Sequence, residues 1–274
     1  MTDGWPRAIV SDTMTVITLL TDFGLKDGYV GVMKGVIWGI ASQVQIADIT
    51  HHIHPQNVPE GALALGRVAS FFPAGTIHLA VVDPGVGTQR RPIAARLGEQ
   101  FFVGPDNGLC TLLVEKARRS GAGTQFVHLD QPRYWLAEIS KVFHGRDIFS
   151  PVAAHLANGV PLAELGSPIQ DPHLLDFPQP QRVGAGWRGI IMHVDAFGNL
   201  ATNLERRHIP AGSRLTIIIG GVQITRLVST FGDGAVDQLV ALFDSAGKLS
   251  ICVVNGNAAK RLKVGGGDPM EVIF

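Results

Sequence analysis

Cysteine is almost missing from this chain: its 274 residues contain two, Cys110 and Cys252, each in an apolar context and without CxxC spacing. That argues against a disulfide framework or a thiolate metal site and leaves two buried small hydrophobes of a reducing compartment. Net charge is missing too, because 23 Lys plus Arg balance 23 Asp plus Glu. Nothing electrostatic therefore favours nucleic acid or an anionic membrane as partner. No stretch approaches the roughly 18 uninterrupted apolar residues of a membrane helix. Residues 1–15 hold one basic residue and no continuous apolar core, so they read as a mobile N-terminal extension and not as a secretory signal. A cytoplasmic protein is expected.

What is present is 46% hydrophobic residue, 33 glycines and 16 prolines, the composition of a loop-rich α/β protein with length for one large or two moderate domains. Apolar runs at Val16–Leu20, Val44–Ile49, Leu79–Val82 and Phe126–Leu129 read as buried strands. Helical spacing over Tyr29–Ile40, Asn57–Phe72, Leu109–Arg118 and Ser150–Ala157 separates them. Ile93–Leu97 and Gln100–Val103 read as a hairpin. This alternation predicts a largely parallel sheet covered on both faces over residues 16–180. From the Pro-rich connector Asp171–Arg182 onward the period changes to short strand runs between Gly-rich turns. A smaller, mainly β domain over 186–274 follows, with the boundary between 177 and 186.

The polar residues cluster where strands end. Leu79–Val82 stops at Asp83 and runs into Pro84-Gly85-Val86-Gly87-Thr88, a turn of one φ-fixing and two φ-permissive residues, then Arg90 and Arg91. In an open parallel sheet the strand ends are where ligands bind. Asp22 and Asp27 flank the turn between the first strand and the first helix; by themselves they read equally as a turn former and a helix N-cap. His51, His52 and His54 stand close together but lack a carboxylate or distant fourth ligand, so hydrogen-bonding histidines are expected rather than a metal site. His144, Asp147 and Ser150 fall in Phe143–Phe149 and at the next helix start, with the last two readable as capping groups. In the second domain, Asp195-Ala196-Phe197-Gly198-Asn199 offers an amide to read a base edge and a ring to stack on it.

Thr21–Gly35 (TDFGxxDxYVGxMKG), Val81–Arg91 (VVDPGVGTxRR), Gly104–Leu109 (GPDNGL), Phe143–Phe149 (FHGRDIF), Asp195–Asn203 (DxFGNxxTN) and Gly256–Ala259 (GNAA) occur in this order. Together they resemble the S-adenosyl-L-methionine (SAM) hydroxide adenosyltransferases, relatives of fluorinase and chlorinase, over Val16–Phe274. The resemblance implies an N-terminal α/β domain and a C-terminal β domain, assembled as a homotrimer with ligand between subunits. It implies SAM as substrate, with no cofactor and no metal. The catalytic Asp-Arg-His set falls on Asp83, Arg90 and His144. The ribose contact falls on Asp22, the methionine amino contact on Asp27, the methionine carboxylate contact on Ser245, and the adenine contacts on Asn199 and the backbone near Ala258, with Phe197 and Phe231 stacking.

That set suits the chemistry. The sulfonium of SAM departs as a neutral thioether without protonation, so the demanding step is generating hydroxide character in one water. An arginine favours the hydroxide, and an aspartate or histidine accepts the proton; the residue types leave open which one. Halide transfer is the alternative within the superfamily, but Asp83 stands where fluorinase has a tyrosine, and Gln56 where it has a tryptophan; a carboxylate repels halide. A non-catalytic adenosine or SAM sensor is the other alternative, and it has no use for Asp83, Arg90 and His144 together. Val142, where the family carries a small hydroxyl residue, is expected to pack beside His144.

Overall fold

The computed structural model describes residues 14–274. The expected N-terminal extension lies, apart from Met14 and Thr15, outside the described residues. The chain divides into two compact units between Leu175 and Asp176, at the near edge of the Pro-rich connector. Residues up to Leu175 are tied to the first unit by His173 N to Asp106 Oδ1 (2.7 Å) and Leu175 N to Thr111 Oγ1 (2.8 Å).

The first unit contains β1 (Val16–Thr21), α1 (Tyr29–Ile40), β2 (Gln45–Thr50), α2 (Val58–Val68), β3 (Ile77–Val81), β4 (Pro92–Leu97), β5 (Gln100–Pro105), α3 (Thr111–Arg119), β6 (Thr124–His128), α4 (Ser150–Ala157) and β7 (Ser167–Ile169). Its sheet runs β2-β1-β3-β5-β4-β6-β7. The β2-β1-β3-β5 half is parallel, whereas β4, β6 and β7 are antiparallel to their neighbours. The sheet is therefore mixed, less parallel than strand–helix alternation predicts. A tight turn at Gly98, with φ 65°, folds β4 back on β5 and reverses the direction.

Period-two alternation along the strands fills both faces. Leu19 and Leu79 pack with Met33 of α1 and Val152 of α4 on one side, while Leu20 and Ala80 pack with Leu65 of α2 and Val114 of α3 on the other. The chain leaves β1 for β2 on one flank and returns past it to β3 on the other, so the strand order reverses at β1/β3. Crevices at such a reversal are where α/β sheets bind ligands. Thr21 pairs with Val81, which sets Asp22 and Asp83 on neighbouring strand ends.

The second unit is antiparallel: β8 (Gln181–Val183), β9 (Gly186–Val194), β10 (Leu200–Glu205), β11 (Thr216–Ile219), β12 (Val222–Ile224), β13 (Leu239–Phe243), β14 (Lys248–Val253), α5 (Ala258–Leu262) and β15 (Pro269–Ile273). The path is β12-β11-β15-β9-β10-β14-β13, with β8 on β9. After β12 the chain bonds to β13 through Val228 N to Ala241 O and Ala241 N to Arg226 O, both 2.8 Å. The two ends of the sheet thus meet, making it barrel-like and covering edges that otherwise invite pairing. Ile191, Ile217, Ile251 and Val272 fill the interior, with Ala258 and Leu262 of α5 packed into it. Cys110 and Cys252 are both free and buried, and burial pushes each thiol up to about 12. No helix among the described residues is long and apolar enough to cross a membrane.

Candidate active site

The loop after β3 is a succession of turns that brings Arg90 back onto Asp83. Val86 N donates to Asp83 O (3.3 Å) and Thr88 N to Gly85 O (3.1 Å). The Thr88 hydroxyl donates to Gly85 O (2.7 Å) and accepts from Arg90 N (3.3 Å). Gly87 has φ 76°, and a Cβ there would stand 2.4 Å from the Lys141 carbonyl oxygen. Only glycine therefore lets this loop meet the segment leading to His144.

At the centre, Arg90 Nε donates to Asp83 Oδ1 (3.1 Å) and Arg90 Nη2 to Asp83 Oδ2 (2.5 Å). Nη2 also lies 3.2 Å from His144 Nδ1. The guanidinium stands over the buried Phe149 ring, 5.4 Å from its centroid. Side-chain exposure is 7% for Arg90 and 5% for Asp83, and Arg90 Nη1 is buried without a protein partner. Burial pushes the Asp83 carboxyl above its usual range, against the pull of Arg90, of His144 and of the Gly85 N–H. Burial, then the charge of Arg90, holds the His144 imidazole below its usual value, against Asp83 and Asp147. A guanidinium only donates, so His144 Nδ1 accepts and the neutral ring carries its proton on Nε2.

His144 precedes a π-helical turn, Gly145–Phe149, in which Arg146 N and Asp147 N both donate to Phe143 O (3.1 and 3.2 Å). Such turns concentrate at functional sites. Asp147 and Ser150 do not cap a helix. Asp147 is fully buried, pairs with Arg146 (2.5 Å) and accepts from Ser140 N (2.8 Å); Ser150 Oγ donates to Gly145 O (2.7 Å). Val142 is 77% exposed, so its side chain lies largely in solvent and not, as expected, packed beside His144.

Asp22 accepts from Gln56 N (2.8 Å), and the loop carrying it is clamped by His51. Thr21 Oγ1 lies 2.9 Å from His51 Nδ1, and Gly24 N donates to His51 O (2.8 Å). His51 is thus a buried hydrogen-bonding residue, His54 pairs with Glu60 (2.8 Å), and His52 is exposed. Asp27 is exposed and is not the N-cap of α1. Gly28 takes that position at φ 73°, with no side-chain cap bond, which leaves the Asp27 carboxylate outside the helix. Sequence reasoning passed over the edge-to-face cluster of Phe23, Tyr29 and Phe143, with centroids 5.3 to 6.0 Å apart, since aromatics this far apart in sequence carry no local signal.

In the second unit, Asp195 organises the β9–β10 loop. Its Oδ1 accepts from Phe197 N (2.9 Å) and Asn199 N (2.8 Å), and its Oδ2 from Asn199 Nδ2 (2.8 Å). Ala259 N donates to Gly198 O (3.0 Å), and a Cβ on Gly198 would strike the Asn257 amide. The DAFGN loop and the start of α5 therefore form one surface holding Phe197, Asn199 and the buried Ala258. Phe197 is 77% exposed. Phe231 is half-exposed on a separate turn, Phe231–Asp233. Ser245 lies exposed in the β13–β14 turn, at the other end of β14 from Ala258; six strand residues span roughly 20 Å. The fold does not bring Ser245 to the Asn199 group within this unit.

The chain matches known proteins along most of its length. The SAM hydroxide adenosyltransferase N-terminal domain matches residues 17–166 and the corresponding C-terminal domain residues 189–271. The chain is 39% identical over 263 residues to the (R)-S-adenosyl-L-methionine hydrolase of Salinispora tropica, covering 93% of this chain and 97% of that one. It is 30% identical over 271 residues to a fluorinase of an Actinoplanes species, covering 86% and 90%. A crystal structure of an uncharacterised conserved protein from Thermotoga maritima superposes with TM-score 0.87 at 35% identity, covering 94% and 100%. The chain belongs to the SAM hydroxide adenosyltransferase family.

Proposed function

We propose that this protein hydrolyses SAM to adenosine and L-methionine by in-line attack of water at C5′ of the ribose. The observation that carries the reading is the contact of the buried Asp83 and Arg90 side chains with the partly buried His144, which a binding protein would not require. Each loses solvation there, and the arrangement supplies a proton acceptor beside a fixed positive charge.

The hydrogen bonds support a division of roles. His144 Nδ1 is occupied by Arg90 and its Nε2 bears the proton, so the imidazole as held is a donor that orients the water. Asp83 retains carboxylate lone pairs beyond those used by Arg90, and burial raises its pKa, which makes it a better proton acceptor than an ordinary aspartate. The new bond joins water oxygen to C5′, the C5′–S bond breaks with its electron pair leaving on methionine sulfur, and the water proton passes to Asp83 and then to solvent. Arg90 stabilises the developing hydroxide. Asp22 and Asp27 take the ribose diol and the methionine amino group, Ser245 the methionine carboxylate, and Phe197, Phe231, Asn199 and the backbone at Ala258 the adenine.

We extend the reading to a homotrimer in which one subunit's first unit and its neighbour's second unit complete each site. Supporting it, α1 turns Gly31, Val32, Gly35 and Trp38 outward, an apolar helix face that a partner subunit would cover. Light scattering on the wild type and on Trp38→Glu tests this; a monomeric wild type would refute it.

The activity is tested by incubating purified protein with SAM and separating nucleosides. Adenosine and methionine are expected in equal amounts. With added chloride or fluoride no 5′-halo-5′-deoxyadenosine is expected, because the Asp83 carboxylate repels the anion. Asp83→Asn is expected to lower kcat by about 10²- to 10⁴-fold with KM little changed; wild-type turnover in that variant would remove Asp83 as base.

A further inference from the structure

Asn199 donates its side-chain nitrogen to Asp195 Oδ2 at 2.8 Å, and no described residue donates to its oxygen. A carboxylate only accepts, so the amide of Asn199 has one allowed orientation: nitrogen toward Asp195, oxygen on the opposite branch. The other Asp195 oxygen is held by two backbone N–H groups of the same loop, so the carboxylate cannot swing away and release the amide. Gly198, between them, accepts from Ala259 N (3.0 Å), and a Cβ there would strike the Asn257 amide, so the backbone that carries Asn199 is held against the start of α5.

We propose that Asp195 is a positioning residue that selects the purine: by locking the Asn199 amide it leaves a carbonyl oxygen for the base, so the site takes a 6-amino purine and rejects a 6-oxo purine. This deepens the proposed function and rests on Asn199 being a base contact. An exocyclic amine donates to that oxygen. A 6-oxo group would set carbonyl against carbonyl, and the site cannot adapt, because turning the amide would point its N–H₂ away from the carboxylate. A built polar site discriminates strongly against the analogue that leaves its group unpaired. Without Asp195 the amide would be free to turn and read either base.

The test is calorimetric titration with adenosine and with its 6-oxo counterpart, inosine. The wild type is expected to bind adenosine roughly 10-fold or more tightly. In Asp195→Asn the new side-chain oxygen keeps the two backbone N–H groups, while its N–H₂ faces Asn199 and turns that amide over. The preference is expected to fall to parity or reverse toward inosine. Asp195→Ser keeps a loop acceptor but no longer dictates the amide, and parity is expected there. A wild type indifferent to the base, or variants that keep the wild-type ratio, would overturn the proposal. Asn199→Ala separates the layers. If it binds adenosine as the wild type does, Asn199 is not a base contact and the underlying site reading fails; if it weakens adenosine while Asp195→Asn keeps its ratio, only the orienting role falls.

Discussion

The loops at the sheet reversal of the first unit and the β9–β10 loop of the second are both held by an aspartate, but in opposite ways. Asp83 is buried and spends its carboxylate on a buried side-chain cation. Asp195 spends its own on backbone N–H groups and one amide, leaving Phe197 largely in solvent. The first arrangement fixes charges and shifts their protonation; the second fixes shape and orientation around an open aromatic face. Changes in the first are therefore expected to appear in kcat and its pH dependence, and changes in the second in binding.

The sharpest break of that contrast is Arg90→Ala. It removes both bonds to Asp83 and the contact to His144, leaving a buried carboxylate without its partner, which costs about 3–5 kcal/mol of stability. Turnover should fall by about 10³-fold, the effect of losing a group that stabilises developing negative charge. Single-turnover adenosine release and thermal unfolding read the two effects. Arg90→Lys should recover little, because an ammonium cannot reproduce the two-pronged contact to Asp83.

Next comes pH. Because the Asp83 carboxyl titrates above its usual range, the base is present above that raised value, and kcat/KM should fall as pH drops through it. The lowered His144 value keeps the imidazole neutral, and so able to accept from Arg90, until more acidic pH. A pH–rate profile should show its acid limb above the ordinary carboxylate range, and the limb should change in Asp83→Asn. A profile flat through that region would show that Asp83 does not titrate in the rate.

The second unit should answer in KM. Phe197→Ala removes an exposed ring from a surface otherwise held by backbone bonds, so the fold should survive. Base stacking on an aromatic contributes about 1–3 kcal/mol. KM is accordingly expected to rise by roughly 5- to 150-fold with kcat within a few-fold; a selective loss of kcat would blur the division between the units.

Much of this division is legible in the chain, for identifiable reasons. Local apolar period gave Tyr29–Ile40 its bounds, and Asn57 caps α2 by accepting from Glu60 N, as its position before the apolar run suggests. The antiparallel half of the first sheet was not legible, because a hairpin signal does not say which strand the pair will join. The π-helical turn has no distinctive sequence period and was hidden within a stretch readable as a helix start. Asp27 looks like a cap until Gly28 adopts a left-handed conformation. Asp147 reads as a capping group because its partner Ser140 lies on a segment without pattern. The strand-end loop offered Asp83 and Arg90 as candidates, but the resemblance joined them to His144, since no local pattern spans the 54-residue gap between Arg90 and His144.

Arg90 and Arg91 make the smallest and most discriminating test. They are adjacent, of one residue type, and indistinguishable by composition. Arg91 leads directly into β4, where successive side chains take opposite sides, and it turns to Asp106 (2.6 Å) and Asp171 (2.9 Å) instead of Asp83. These carboxylates raise its pKa, Asp171 first, and the contact joins the connector side of the unit to the β5 end. Arg91→Gln should therefore leave kcat and KM within a few-fold while lowering the unfolding temperature by a few degrees, since the Asp106 side chain is nearly buried and keeps only its bond from His173 N. A loss of turnover comparable to that of Arg90→Ala would mean that the charge of the arginine pair, and not the contact of Arg90 with Asp83 and His144, is what the chemistry uses.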